Sequence, residues 1–343
     1  MLIVDATPQG VGWFPINHMV VLATHLFEAE LRVVEAGRRT PWHKQVSSLV
    51  RRRSVSGDGI EDCLLICASP TDLLQFAELD GWRKRFRFAA AWVIDSFWLE
   101  WIPKSLRMSM PFDHLFVTRG EDIDDWYRAV GLRPTWLPWG ADVLGMGSRS
   151  AERPWDLLRV GRQPSEWEND GATAAAAAEL SLRFHPRPSM LSSGPLANQA
   201  SLMKAYGASK FILAFSNLSH SVQYTHPTRD YITGRWVDAL AAGACVAGSV
   251  PRGAMVDSLL WPEATLELGT TKRYEGLRLI ADAVARWTPA LARANHAKAL
   301  QRLDWRHRFA VIADIFGLAP IGLAAELKML RSANASAVTQ AGR

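Results

Sequence analysis

Along most of the chain, short apolar runs alternate with stretches whose apolar residues recur at helical spacing. Short apolar runs at residues 2–5, 31–34 and 64–68, an unbroken one at 88–94, and further runs at 113–118 and 134–138 have the length and character of strands. Between them the pattern turns helical. Pro15 suits the first turn of a helix reaching to about residue 30, where a missing N–H costs nothing. Ser69-Pro70-Thr71-Asp72 combines a capping serine, a first-turn proline and an early carboxylate, so a helix is expected to start there. Residues 121–130 form another. Strands alternating with helices predict βαβ units around a parallel sheet.

The pattern breaks at residues 140–154 into Gly, Ser, Arg and Pro, the chemistry of a linker. A second series follows, with strands expected at 157–160, 182–184, 211–216 and 245–247. Helices are expected at 171–179, 198–206, 234–242, 276–300 and 304–316. Thr233 is placed to cap the third of these and Gly243 to end it. A chain of 343 residues also outgrows a single hydrophobic core. The expected fold is therefore α/β: two Rossmann-like doubly wound domains facing a cleft. The first would occupy residues 1–150 and the second 151–318. A tail at 319–343 would be partly helical, then frayed.

Composition narrows the class. At 48% hydrophobic and 21% charged, the chain is an ordinary globular protein. Its longest apolar runs fall far short of the roughly 20 residues of a membrane span, and the N-terminus lacks a signal peptide's basic and apolar regions. A cytoplasmic location is expected. Cys63, Cys67 and Cys245 suit neither a disulfide framework nor a zinc site and read as small buried hydrophobes. The net charge of +5 gathers at Arg38, Arg39, His43, Lys44 and Arg51 to Arg53, and again at Arg83, Lys84, Arg85 and Arg87. These runs suit solvated surface, and they also suit phosphates or peripheral contact with an anionic membrane. No nucleic-acid motif accompanies them, so DNA and RNA are not expected partners.

In open parallel sheets, ligands bind beyond the carboxyl ends of the strands, where helix N-termini present unpaired N–H groups. In the second half this rule gathers Gly161-Arg162, residues 185–188, the segment from Ser216 to residue 220, and residues 228–235. The last is the most informative. Asp230 lies in the loop entering a helix and can accept hydrogen bonds from sugar hydroxyls; Asp238, about one turn inside, can hold a ribose. Gly234 lets phosphates approach the backbone, while Arg229 and Arg235 can neutralise them. Asp122-Ile-Asp124 sits in a helical context, and no metal site is expected. His18 reads as a satisfied helix residue, and His185, His220 and His226 as loop residues near the mouth. Of fifteen tryptophans, Trp13, Trp139 and Trp236 fall near predicted mouth loops.

Asp238-Ala-Leu-Ala-Ala-Gly-Ala-Cys-Val-Ala247 resembles the "EAlacGxpVv" run of retaining GT-B glycosyltransferases, family 4 and the related spore-protein-like group. Asp230 and Asp238 fall on the two acidic positions of that family's E-x7-E pattern. Leu158-Arg-Val-Gly-Arg162 is similar to its "hxVGR" segment, which implies a diphosphate-binding role for Arg162. Trp136-Leu-Pro-Trp-Gly-Ala-Asp142 resembles its interdomain "vlPNGvD", Gly10-Val-Gly12 its glycine-rich acceptor-side loop, and residues 303–309 its final helix. The resemblance spans nearly the whole chain in order. It implies transfer of a sugar from a nucleotide-sugar donor to a glycan, glycolipid or small-molecule acceptor, retaining and without a metal or other cofactor. Asp230, Arg162 and Arg235 would be catalytic. Asp238, Gly234, Thr233, Gly161, Ser216 and Arg229 would hold the donor, and Gly10, Gly12 and Asp95 would lie on the acceptor side.

The chain also departs from that pattern. Both acidic positions are Asp rather than Glu. The lysine usual after the VGR arginine is absent, leaving Arg235, Arg229 or Lys210 as substitutes. The histidine usual at the end of a strand in the first domain is absent too, with Asp95 in its neighbourhood. A non-catalytic GT-B module binding a nucleotide or glycan is the alternative. An epimerase of the same fold would need an acid/base set that the sequence does not offer.

Overall fold

The computed structural model describes residues 1–34, 60–79, 82–219 and 222–341. The basic run from Arg38 to Arg53, His220, and the side chains of Arg83 and Lys84 lie outside the described residues. The chain divides into two compact units.

The first unit comprises Met1–Pro138 and Arg308–Ala325. Its strands are β1 (Leu2–Ala6), β2 (Glu30–Val33), β3 (Glu61–Cys67), β4 (Phe86–Val93), β5 (His114–Val117) and β6 (Thr135–Trp136). They pair in the order β2-β1-β3-β4-β5-β6, all parallel. The predicted strands are all present, because β-branched and alanine-rich apolar runs such as Ala89-Ala90-Ala91 can be buried on both faces of a sheet. Helix α1 (Phe14–Leu26) stops short of the expected residue 30: Glu28 takes a left-handed conformation (φ 49°), and the chain turns into β2. The helix expected after Ser69 is a 3-10 helix, Pro70–Glu78, held by a reciprocal cap in which Asp72 accepts from the Ser69 N–H (3.0 Å) and hydroxyl (2.7 Å). Helices α2 (Lys104–Met108) and α3 (Ile123–Val130) follow β4 and β5.

The second unit comprises Trp139–His307 and the segment from Glu326. Its strands β7 (Trp155–Arg159), β8 (Phe184–His185), β9 (Ser209–Phe215), β10 (Cys245–Ser249) and β11 (Thr265–Glu267) pair in the order β11-β10-β9-β7-β8, again all parallel. Helices α4 (Asp170–Glu179), α5 (Pro195–Gly207) and α6 (Gly234–Ala241) connect them. Both sheets are therefore doubly wound. The order of strands reverses between β1 and β3 in one unit and between β7 and β9 in the other, which is where such sheets open a crevice for ligands.

Three local expectations are corrected. The single helix expected at 276–300 is two, α7 (Arg273–Arg286) and α8 (Pro289–Arg302). Pro289 has no N–H to continue the ladder and holds Thr288 extended (φ −132°, ψ 155°). The expected linker at 140–154 contains a helical turn, Val143–Met146, capped by the Asp142 carboxylate on the Gly145 N–H (2.9 Å). Strand β11 has no counterpart in the sequence pattern; at three residues it is too short to show a period. The chain ends with α9 (Trp305–Phe316) and α10 (Ile321–Ala341).

A buried ionic knot secures the second unit. The Arg306 guanidinium meets Asp142 at 2.8 Å and Asp304 at 3.0 Å, and Asp304 also accepts from the Leu144 N–H at 2.8 Å. Burial alone would lower the pKa of Arg306, but the two carboxylates outweigh it and raise that pKa above the ordinary value. Asp142 and the Asp304-Trp-Arg306 sequence are thus joined through charge.

Candidate functional site

The mouth of the second sheet is built where β7 and β9 end. Leaving β7, the chain turns at Gly161 in a left-handed conformation (φ 69°). A Cβ there would lie 3.1 Å from Arg235 Cδ and 3.2 Å from its Nη1, so the turn accepts glycine for both conformation and space. Arg235 enters from the first turn of α6. Its Nη1 donates to the carbonyls of Arg162 (2.7 Å) and Val160 (3.3 Å), fastening the Gly161 loop to the helix N-terminus. Burial lowers the pKa of this guanidinium below its ordinary value. The Arg162 guanidinium stands over the Tyr224 ring, 5.0 Å from its centroid.

At the end of β9, Ser216 is buried and donates its hydroxyl to the Asp230 carboxylate (2.6 Å). That carboxylate also accepts the N–H groups of Tyr231 (3.2 Å) and Arg252 (3.0 Å), so Asp230 ties three loops together. Asn217, next along, donates to the carbonyls of His226 (2.8 Å) and Arg229 (2.9 Å), while its own Oδ1 is buried without a hydrogen-bond partner. Arg229 points its guanidinium at His226 Nε2 (2.9 Å), and the same histidine's Nδ1 accepts the Arg229 backbone N–H (2.9 Å).

Thr233 holds the N-cap position, but its hydroxyl makes no capping bond. The N–H that it would serve, on Trp236, is already taken by the Thr233 carbonyl (3.1 Å). The hydroxyl oxygen is buried without a partner. Asp238 is only 2% exposed and accepts from Gln199 Nε2 on α5 (2.9 Å), leaving Gln199 Oε1 buried and unpaired. Burial, and then the neighbouring Asp238 charge, raise the Tyr206 phenol above its ordinary pKa. Loop residues Gly161, Arg162, Ser216, Asp230, Thr233, Gly234 and Arg235 are thus brought to one end of the sheet. Asp238 lies inward, against α5.

Two cations change places in this picture. Lys210, one of the sequence's three candidates for the missing lysine's phosphate contact, does not reach the mouth. It lies near the start of β9 and pairs with Asp156 at the start of β7 (2.6 Å), at the opposite end of the strands. Arg187, by contrast, reaches the mouth: from the loop after β8, its Nη2 donates to the Gly161 carbonyl (2.9 Å). The sequence rule singles out its segment but not the residue. Trp139 and Trp236 are buried core residues rather than surfaces at the mouth.

In the first unit, Asp5 at the end of β1 is buried and accepts from the Thr7 N–H (2.9 Å), the Thr7 hydroxyl (2.6 Å) and Gln9 (2.8 Å). Burial raises its pKa, and those three hydrogen bonds oppose the rise. The Gly10–Gly12 loop follows, with Gly12 at φ 89°. Asn17 on α1 closes it by donating to the Thr7 hydroxyl (3.3 Å) and the Pro8 carbonyl (3.1 Å). Asp95 lies just past β4, and among the described residues no hydrogen bond reaches its carboxylate. Burial first, and then the Asp72 charge, push it up to about 7. Among the described residues, no group of three or more His, Cys, Asp or Glu converges as a metal site requires, and no helix is long and apolar enough to cross a membrane.

The two sheets have a counterpart in a solved glycosyltransferase from Rickettsia africae. It is 8% identical, covers 92% of this chain and 97% of its own, and superposes with a TM-score of 0.54. The fold is the GT-B one. TarM from S. aureus (8% identity, TM-score 0.48) and the pneumococcal O-GlcNAc transferase GtfA (12%, TM-score 0.46) also match. Each covers 79% of this chain, which in turn spans 58% and 59% of theirs. No family model matches the sequence, and no curated protein does.

Proposed function

We propose that this GT-B chain is a glycosyltransferase that takes a sugar from a nucleoside-diphosphate donor bound at the mouth of its second unit. The observation that carries the reading is the convergence at the β7/β9 switch point. Arg162, Arg187 and Arg235 gather around one glycine turn, beside a helix N-terminus and the Asp230 carboxylate. Breaking a glycosyl–phosphate bond leaves negative charge on the departing diphosphate and develops positive charge on the sugar. Fixed guanidinium groups and the first N–H groups of α6 at Gly234 and Arg235 favour that transition state over the ground state.

In this reading Arg162 and Arg187 contact the diphosphate, and Arg235 both adds charge and holds the loop in shape. Asp230 accepts from the sugar hydroxyls, with Ser216 orienting it. The unpaired Thr233 and Asn217 oxygens and the Asp238–Gln199 pair are hydrogen-bonding capacity for sugar and ribose hydroxyls. Arginines supply the charge that a metal would otherwise bring, and transfer with retention at the anomeric carbon is the expected outcome.

The test is thermal stabilisation by UDP, GDP, ADP and dTDP in the presence of a chelator, then with magnesium. A ligand at 100 times its Kd stabilises a fold by about 2.7 kcal/mol. Stabilisation by one nucleotide under chelation, lost in Arg162→Ala and followed by turnover of the matching nucleotide sugar, supports the proposal. No response to any nucleotide would refute it.

A further inference from the structure

We infer that the turn following β4, residues 95–101, is a saccharide-binding platform made by the Trp98–Trp101 indole pair and the Asp95 carboxylate. The inference rests on the glycosyl-transfer reading only in naming the acceptor: it assigns a saccharide rather than a lipid surface or a flat aromatic molecule.

The turn is shaped by a division between inward and outward residues. Phe97, Leu99 and Ile102 are buried, and Leu106 on α2 is buried beneath them. With those positions spent on the core, Trp101 is left 44% exposed and Trp98 half-buried. The two rings stack face to face, with centroids 4.0 Å apart and planes within 3°, so each covers one face of the other and the pair meets solvent chiefly through Trp101. An indole normally finds burial or a polar partner for its N–H. The Trp101 N–H has none among the described residues; a contiguous apolar patch rather than a single exposed ring marks a binding surface, and here two indoles are contiguous.

Five hydrogen bonds hold this turn, three of them on its backbone carbonyls. Trp126 Nε1 donates to the Ser96 carbonyl (3.0 Å), and the Ser96 hydroxyl accepts the N–H groups of Thr118 (3.1 Å) and Arg119 (3.2 Å). The Arg107 guanidinium donates to the carbonyls of Ile102 (3.2 Å) and Leu99 (3.1 Å). A ring pair held this way loses little conformational freedom when a ligand lands on it.

The chemistry around the rings selects the ligand. Asp95, on the same turn, carries a carboxylate that no hydrogen bond satisfies among the described residues, and Glu100 adds a second acid between the two tryptophans in sequence. The Asp95 carboxyl, three residues before Trp98 on the same turn, accepts hydrogen bonds from hydroxyls, while the C–H face of a pyranose packs on an indole. A pKa pushed up to about 7 also lets Asp95 switch between accepting from and donating to a hydroxyl near neutral pH.

The experiment measures binding of cellobiose, maltose, chitobiose and mannobiose by ligand-observed NMR to the full chain and to Trp101→Ala and Asp95→Asn, each checked by its melting curve. Phosphatidylglycerol–phosphatidylcholine vesicles and the four nucleoside diphosphates serve as parallel arms. The expected result is millimolar binding of at least one disaccharide, weakened tenfold or more in Trp101→Ala and also weakened in Asp95→Asn. Equal binding by wild type and Trp101→Ala, or no binding of any disaccharide, overturns the platform. So does vesicle binding that depends on Trp101 while saccharides do not. Nucleotide binding separates the two proposals. A Trp101-dependent saccharide with no nucleotide response leaves the platform and removes the transferase reading; the reverse pattern removes the platform alone.

Discussion

Asp95→Asn should stabilise the protein at alkaline pH and leave it unchanged at acid pH. In the folded chain the Asp95 carboxyl is pushed from 3.8 up to about 7, chiefly by burial and then by the charge of Asp72. Well below pH 3.8 the group is protonated in both folded and unfolded chains and contributes no pH dependence. Between 3.8 and about 7 the folded chain holds a proton that the unfolded chain has released, so stability falls as pH rises. Above that window both states are ionised, and the whole cost of the buried charge is in place. Every tenfold change in proton affinity corresponds to about 1.4 kcal/mol, so a rise of roughly a thousandfold sets an upper bound near ~4 kcal/mol. Part of the Asp95 side chain reaches solvent, which brings the expected figure to about 2 kcal/mol. For a domain of this size that is about 4–8 °C in melting temperature. The assay is a set of melting curves for wild type and Asp95→Asn from pH 4 to pH 8. The variant's advantage should be smallest at pH 4, open through the window and level off at pH 8. A difference that stays constant across the series would show that the carboxyl is not held protonated, and the hydroxyl-switching role given to it would go too.

Other substitutions test the remaining structure. Gly161→Ala must place a Cβ 3.1 Å from Arg235 at a φ of 69°. It should cost about 1–2 kcal/mol in the melt and at least tenfold in nucleotide affinity by titration calorimetry, as the loop shifts away from its arginines. Arg306→Ala strands Asp142 and Asp304 as buried charges, and chemical denaturation should show a loss of about 3–5 kcal/mol. Gly248→Ala would bring a Cβ to 1.6 Å from the Ala214 carbonyl oxygen in the middle of the second sheet. The expected cost exceeds about 4 kcal/mol, seen as loss of soluble protein on expression. Asp230→Asn keeps the Ser216 contact but removes the charge, so nucleotide binding by thermal shift should persist while sugar turnover falls at least about 100-fold, the scale on which a lost transition-state contact acts.

The sheets are legible in the sequence because a strand buried on both faces must be apolar throughout, and little else in a chain is. That signal weakens where burial does: β11 at an edge, three residues long, carries no readable pattern. Helix ends are less legible for a different reason. The apolar period continues across Trp287–Pro289 even though the backbone cannot, and there the proline outweighs the period. The same holds at Glu28, where the reversal into β2 is set by how α1 packs rather than by any residue with a taste for turning.

For the site, the rule that ligands gather at the carboxyl ends of strands locates the right loops but not the right cations. Lys210 stands near the mouth segments in sequence, yet a residue at the start of a strand lies a full strand length from the mouth, as its pairing with Asp156 shows. Strand direction alone excludes it. Arg187 sits in a loop that the rule names, and only the fold shows that it bends to Gly161. The tryptophans fail in the opposite way. The unbroken run at 88–94 reads as a buried strand, and for Trp92 that reading holds. Past the end of β4 at Val93, a 3-10 turn at Leu99–Trp101 leaves Trp101 exposed with Trp98 half-buried against it. Composition shows that the chain is rich in tryptophan, but which rings face water is decided by the few residues that win the core. At this turn the winners are Phe97, Leu99 and Ile102.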